Sequence, residues 1–176
     1  LPDQRMSSWA RIALETIPGD AADEALRSAA GSLDGILLVG TINSIGVRRD
    51  SKAVDLLITR LQDQDAQVAS AAAIAFGRIG NAAASHALRQ SLAAAPAGVR
   101  SAIAEGCVLC AEQLWSAGNS AEATAIYDQV RKADVPKQRI IEATRGAILA
   151  RNQEGIPLLL EQFRSPDKRM FQLALG

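Results

Sequence analysis

A comb of small and apolar residues recurs six times along this chain, and few folds accommodate that. Counted from an anchor residue, the teeth stand at offsets +3, +4, +7, +8 and +11. Val68 is followed by Ala71, Ala72, Ala75, Phe76 and Ile79, and Val99 by Ala102, Ile103, Gly106, Cys107 and Cys110. Met6 leads to Trp9, Ala10, Ala13, Leu14 and Ile17, and Ile140 to Ala143, Thr144, Ala147, Ile148 and Arg151. A weaker copy starts at Asp34 with Leu37, Leu38, Thr41, Ile42 and Ile45, and Met170 leads only to Leu173 and Ala174 before the sequence stops. The offsets place one stripe on an α-helix. The anchors return at intervals of 28, 34, 31, 41 and 30 residues, a near-regular spacing that marks an array of helical repeats.

Second helices fill the intervals. SKAVDLLITRL places Val54, Leu57, Ile58 and Leu61 on one face, and IPLLLEQF does the same with Ile156, Leu159, Leu160 and Phe163. The predicted fold is all-α, a right-handed solenoid of antiparallel helix pairs. It forms one domain over residues 1–176, with units beginning near 2, 33, 65, 96, 136 and 166. Only 3% of the 176 residues are aromatic, and Ala and Leu dominate, which suits helices packed closely through small side chains.

A short phrase opens three of the combs: PDQRM at 2–6, PKQRI at 136–140 and PDKRM at 166–170. In the last, Ser165 is placed to cap free amides, Pro166 to occupy the first helical position, and Asp167 to face the positive end of the helix dipole. The phrase repeats because the turn it builds repeats.

Residues 72–92, AAIAFGRIGNAAASHALRQSL, resemble a HEAT-like repeat of the short bacterial type; TINSIG at 41–46 and FQLALG at 171–176 resemble further copies. WARIALETIPG and SIGVRRDSKAV are similar to HEAT segments of large exported bacterial proteins. That resemblance implies an excerpt of a longer chain and a periplasmic or exported setting. One unit departs from the pattern. Residues 107–136 read like a tetratricopeptide pair, with Leu114 and Trp115 before the turn SAGNS and Ala123, Ile126, Tyr127 and Val130 after it. Asn119 or Ser120 is the expected cap, with Glu122 in the first turn. The longer helix implied by the 41-residue interval creates either a binding notch or a kink.

Chemistry is sparse. Cys107 and Cys110 have the spacing of redox and zinc sites, yet both occupy comb positions, where cysteine acts as a small hydrophobe. With no second such pair, and with Ala111 after Cys110, neither zinc nor haem fits; His86 is the sole histidine. No phosphate-binding or nucleophile-elbow motif occurs. No cofactor and no small-molecule substrate are expected.

Charge balances at 19 against 19, with 10 basic and 14 acidic residues in 1–130 (net −4) and 9 and 5 in 131–176 (net +4). That balance disfavours nucleic acid as a partner, and no apolar run reaches the ~18 residues that span a bilayer. Arg48, Arg49 and Lys52 cluster in one turn, and Arg5, Arg139 and Arg169 share one repeat position. Arg48, Arg49, Lys52, Arg139 and Arg169 therefore form a candidate surface for an acidic partner; alternatively each bonds carbonyls or an aspartate of the adjoining turn.

Two functions remain. One is a non-catalytic scaffold offering an extended surface to a protein or to a neighbouring domain of its own chain. The alternative, implied by the resemblance, is a lyase or chaperone-like helper of the phycobilin-lyase HEAT type. Such an enzyme requires a polar, aromatic-lined notch with convergent ionisable groups, whereas most of the few aromatic residues fit core positions. The sixth comb ends early, so Met170, Leu173 and Leu175 are expected to form an exposed apolar patch.

Overall fold

The computed structural model describes residue 3 and residues 5–175. Leu1, Pro2, Gln4 and Gly176 lie outside the described residues, as do the side chains of Ala174 and Leu175, and with them part of the first phrase and of the expected C-terminal patch. Eleven α-helices follow one another among the described residues, and no strand occurs there. Helices α1 (Ser7–Thr16), α3 (Gly35–Arg48), α5 (Ala66–Ile79), α7 (Ala97–Ser116), α9 (Lys137–Ala150) and α11 (Lys168–Leu175) carry the combs. They alternate with α2 (Asp20–Ser32), α4 (Val54–Leu61), α6 (Ala82–Ala94), α8 (Ser120–Lys132) and α10 (Ile156–Phe163).

The odd-numbered helices pack on one another in chain order and make one layer; the even-numbered helices make the second. The layers differ in spacing because their side chains differ in size. In the odd layer, backbones approach through glycine and alanine. A Cβ on Gly106 would lie 2.3 Å from the carbonyl oxygen of Ala73, one on Gly77 2.6 Å from that of Gly106, and one on Gly46 2.8 Å from Cα of Ala75. The even layer is bridged by longer polar side chains. Arg60 donates to the carbonyl of Ala30 at 3.0 Å, Ser85 to Glu122 at 2.9 Å, and Arg89 exchanges two 2.9 Å hydrogen bonds with Gln129. A stack whose layers are spaced unequally curves towards the closer one, so the odd-numbered helices form the inner face.

Burial follows the combs in the middle of the stack. Leu38, Ile42 and Ile45 of α3, Val68, Ala72, Ala75 and Phe76 of α5, and Ile103, Cys107 and Cys110 of α7 form one continuous core. It extends through Ala123, Ile126, Tyr127 and Val130 of α8 to Ala143 and Ala147 of α9. The turns use short polar caps. Asp65 accepts from the amide of Gln67, Asn81 from Ala84 and Asn119 from Glu122. In the repeated phrase, Asp3 and Asp167 each accept at 2.9 Å from the amide of the arginine two residues on. Asp167 thereby meets an amide of α11, Asp3 one in the turn before α1, and Ser165 accepts from the amide of Asp167 at 3.2 Å, ahead of the helix. Pro166 likewise stands before the helix instead of at its first position. Where PKQRI lacks the aspartate, Lys137 pairs with Asp167 of the next phrase at 2.8 Å.

Four expectations are corrected. Helix α1 is rotated by about one residue from its comb: Ser7 is buried and Leu14 packs on the core, while Met6, Trp9 and Ile17 are exposed. Polar contacts set that rotation, because Arg11 donates to the carbonyl of Gly40 at 2.9 Å and Ser44 to Glu15 at 2.6 Å. Helix α10 turns Leu158 and Gln162 inwards and leaves Ile156, Leu160 and Phe163 exposed. Among the aromatic residues only Phe76 and Tyr127 are buried; Trp9, Trp115, Phe163 and Phe171 are exposed. At the last helix Met170 is buried and Leu173 half-buried, so the exposed apolar groups nearby are Phe163 and Phe171, stacked edge to face with centroids 6.1 Å apart.

Candidate inner-face groove

The close spacing of the inner layer stops at α7. Between α7 and α9 the glycine of α9, Gly146, does not meet the backbone of α7. Instead Tyr127 of α8 stands beneath the gap with its ring against Gly146, where an added Cβ would lie 2.3 Å from the ring. Helix α7 runs unbroken for 20 residues, so it flanks the whole length of α9. The result is an open groove of about 650 Å³ on the inner face. The groove lies along the helix pair that the 41-residue interval lengthens.

Tyr127 and Val108 contribute to its floor, Glu105, Leu109, Glu112 and Trp115 to one wall, and Arg139, Glu142, Arg145 and Leu149 to the other. Arg139, 18% exposed, bridges Glu105 and Glu142, at 2.7 Å to the latter. Glu112 makes no ion pair among the described residues. Burial, and then the carboxylate of Glu142, holds its carboxyl above the ordinary range, with Arg145 opposing. Burial pushes the Tyr127 phenol up as well, helped by the charge of Glu112. Trp115 (37% exposed) and Leu149 (44%) leave apolar surface open to solvent. A shallower groove of about 510 Å³ crosses α3, α5 and α7 on the same face. It is lined by Val39, Asn43, Gln67, Ser70 and Ile74 and shares Glu105 with the first.

The five basic residues singled out in the sequence do not converge on this groove. Arg48 donates to the carbonyls of Leu14 and Ile17, each at 2.7 Å, and pairs with Asp23, clamping the turn between α1 and α2. Arg49 is exposed in a left-handed conformation at the end of α3 (φ 54°). Lys52 pairs with Asp20 at 2.8 Å in solvent. Arg169 is exposed on α11, and Arg139 alone lines the groove.

Glu105, Glu112, Trp115, Tyr127, Glu142, Arg145 and Leu149 were not marked by sequence reasoning as groove residues. The long interval was the available signal. Cys107 and Cys110 face the core, and burial pushes each thiol to about 12. At neutral pH both are protonated and poorly nucleophilic. His86 belongs to α6, beside Arg89 and Gln129 in the even layer. Among the described residues no cluster of three metal-ligating side chains occurs, and no helix is long and apolar enough to cross a membrane.

Residues 23–106 match the profile of HEAT repeats. This segment is a HEAT-repeat array. No curated protein matches the chain in sequence. Among solved structures, the HEAT-like stack is similar over its full length to the complex of CpcE and CpcF of phycocyanin lyase from Nostoc sp. PCC7120. The TM-score is 0.62 at 23% identity, and 71% of that chain is covered. An engineered protein matches 99% of this chain with a TM-score of 0.54 and 17% identity, over 89% of its own length. At these identities the likeness shows a shared helical-repeat fold.

Proposed function

We propose that the chain is a non-catalytic HEAT-like scaffold that holds a segment of another protein, or of a neighbouring domain of its own chain, along its inner face. One observation carries this reading. Two grooves lie side by side on the inner face and meet at Glu105, forming a track that crosses α3, α5, α7 and α9. Curved repeat stacks bind extended segments on such surfaces. Arg139, which lines the track, is engaged by two carboxylates and acts there as a wall rather than as a reagent. A random peptide library selected on the native protein tests the proposal. Binders should be lost on Trp115→Ala combined with Leu149→Ser, both changes at exposed positions. Binders indifferent to that double change would overturn it.

A second reading has one specific support. The groove combines ionisable groups with aromatic residues, with Tyr127 on its floor and a carboxyl, Glu112, held above the ordinary range, features that a lyase or chaperone-like helper of the phycobilin-lyase type requires. Titration with an open-chain tetrapyrrole separates the two. A change in visible absorption that disappears in Glu112→Gln, followed by catalysed transfer to an acceptor protein, would favour the enzyme; no spectral change favours the scaffold.

A further inference from the structure

We propose that the groove between α7 and α9 recognises a lysine or arginine side chain carried on an apolar stretch of the partner segment, a conclusion that rests on the scaffold reading above. The groove contains three carboxylates and two guanidinium groups. Arg139 is already bridged between Glu105 and Glu142, so its charge is not available to an incoming anion. Arg145 is exposed in the same groove, and its charge offsets part of the pull on Glu112, which leaves the three carboxylates in excess of the two guanidinium groups by one charge. Glu112 has no ion-pair partner among the described residues, and the charge of Glu142 acts on it directly.

A cation placed between Glu112 and Glu142 relieves the repulsion between the two carboxylates and gives the exposed Glu112, which has no ion-pair partner among the described residues, a charged one. An anion in the same place meets two carboxylates and can gain only Arg145, since Arg139 is already engaged. The apolar surface agrees with this choice. Trp115 and Leu149 are exposed on opposite walls, which suits the methylene stem of lysine or arginine, and the indole face adds attraction for its charge. Beyond Glu105 the track is uncharged, with Val39, Ser70 and Ile74 along it, so residues flanking the base should be small or apolar.

The test uses Trp9→Phe protein, in which Trp115 is the only indole and its fluorescence reports the groove; Trp9 is 71% exposed and its replacement disturbs no packing. Peptides from the library selection are titrated against it. The expected consensus is a lysine or arginine beside apolar residues. Replacing the base by glutamate should weaken binding by about tenfold or more, as should Glu112→Gln, since a charge-assisted hydrogen bond is lost in each case. Arg145→Gln, by removing a like charge from the mouth, should tighten it. Thermal melts of the Glu112→Gln and Arg145→Gln proteins, both changed at exposed positions, check that the fold is kept. A consensus rich in aspartate or glutamate, weakened by Arg145→Gln, would overturn the basic-ligand inference and leave the scaffold standing. Basic peptides indifferent to both Glu112→Gln and Arg145→Gln would overturn it too. Peptides indifferent to the Trp115 and Leu149 double change would remove the scaffold reading itself.

Discussion

The contact between α5 and α7 and the one between α7 and α9 use the same helix, yet they are built in opposite ways. Against α5, the backbone of α7 comes so near that Gly77 and Gly106 leave no room for a Cβ. Against α9, α7 meets an aromatic wedge from the other layer, Tyr127, and the two helices stand apart over a groove. A repeat array therefore does not need an inserted loop to create a site. One large residue from the outer layer, set against a glycine, suffices to open the inner layer locally.

The sharpest way to break this contrast is to remove the wedge. Tyr127→Ala deletes a ring that is 1% exposed and should cost about 3–5 kcal/mol in urea denaturation. Tyr127→Phe keeps the ring and should cost far less, because the phenol makes no hydrogen bond among the described residues. If both substitutions cost the same, the ring is not what separates α7 from α9.

The closed contact yields a smaller effect of a different kind. Gly106→Ala forces a Cβ against the carbonyl of Ala73, a backbone atom that moves only with its helix. Overpacking of this sort should cost about 1–3 kcal/mol. Gly98, also in α7, has nothing within 4 Å of an added Cβ. Gly98→Ala should be neutral or stabilise by up to about 1 kcal/mol, the ordinary gain from replacing glycine in a helix. A Gly106→Ala protein that melted like Gly98→Ala would show that the inner layer yields more readily than its close backbone contacts imply.

The same contrast explains what was legible in the sequence. Combs on α3, α5 and α7 were readable because these helices have neighbours on both sides, so burial depends on side-chain size alone. Helices α1 and α10 depart from their stripes: polar contacts at Arg11 and Ser44 rotate the first, and Leu158 with Gln162 takes the inward face of the second. The groove was legible only as an unusual interval. Its depth depends on Tyr127 meeting Gly146, and both look like ordinary positions of a helical repeat. Likewise the arginine at 139 invites an acidic partner until the fold places Glu105, 34 residues earlier, beside it.

Acid should probe the two sides of α8 and α9 separately. Burial alone would raise Asp128, but hydrogen bonds from Arg151 and Arg131 reverse that and hold its carboxyl below the ordinary range. Its contribution to stability is complete above the unfolded value and is lost as pH falls through the lowered folded value. Glu112, held above its ordinary value, behaves oppositely: the folded state takes up its proton first, so protonation there adds stability as pH falls. Urea midpoints followed from about pH 7 to about pH 3 should therefore fall less steeply for Asp128→Asn than for the parent, and more steeply for Glu112→Gln. Parallel curves for all three proteins would mean that neither carboxyl is shifted.

The smallest effect belongs to the closed side. Cys107 and Cys110 lie where α7 packs against its neighbours, fully shielded, and their thiols are pushed to about 12. Thiolate is the reacting form, so a maleimide or disulfide reagent must wait for local opening at either residue. In native protein both should label slowly, and at the rate of global unfolding once urea is added. Cys107→Ala removes one sulfur from a site lined by small side chains and should cost on the order of 1 kcal/mol, at the low end for core truncation because so little volume is lost. The two cysteines serve as each other's reference, since α7 holds both. Rapid labelling of both in the absence of denaturant would place α7 in another rotation, and the groove wall formed by Glu105, Glu112 and Trp115 would turn with it.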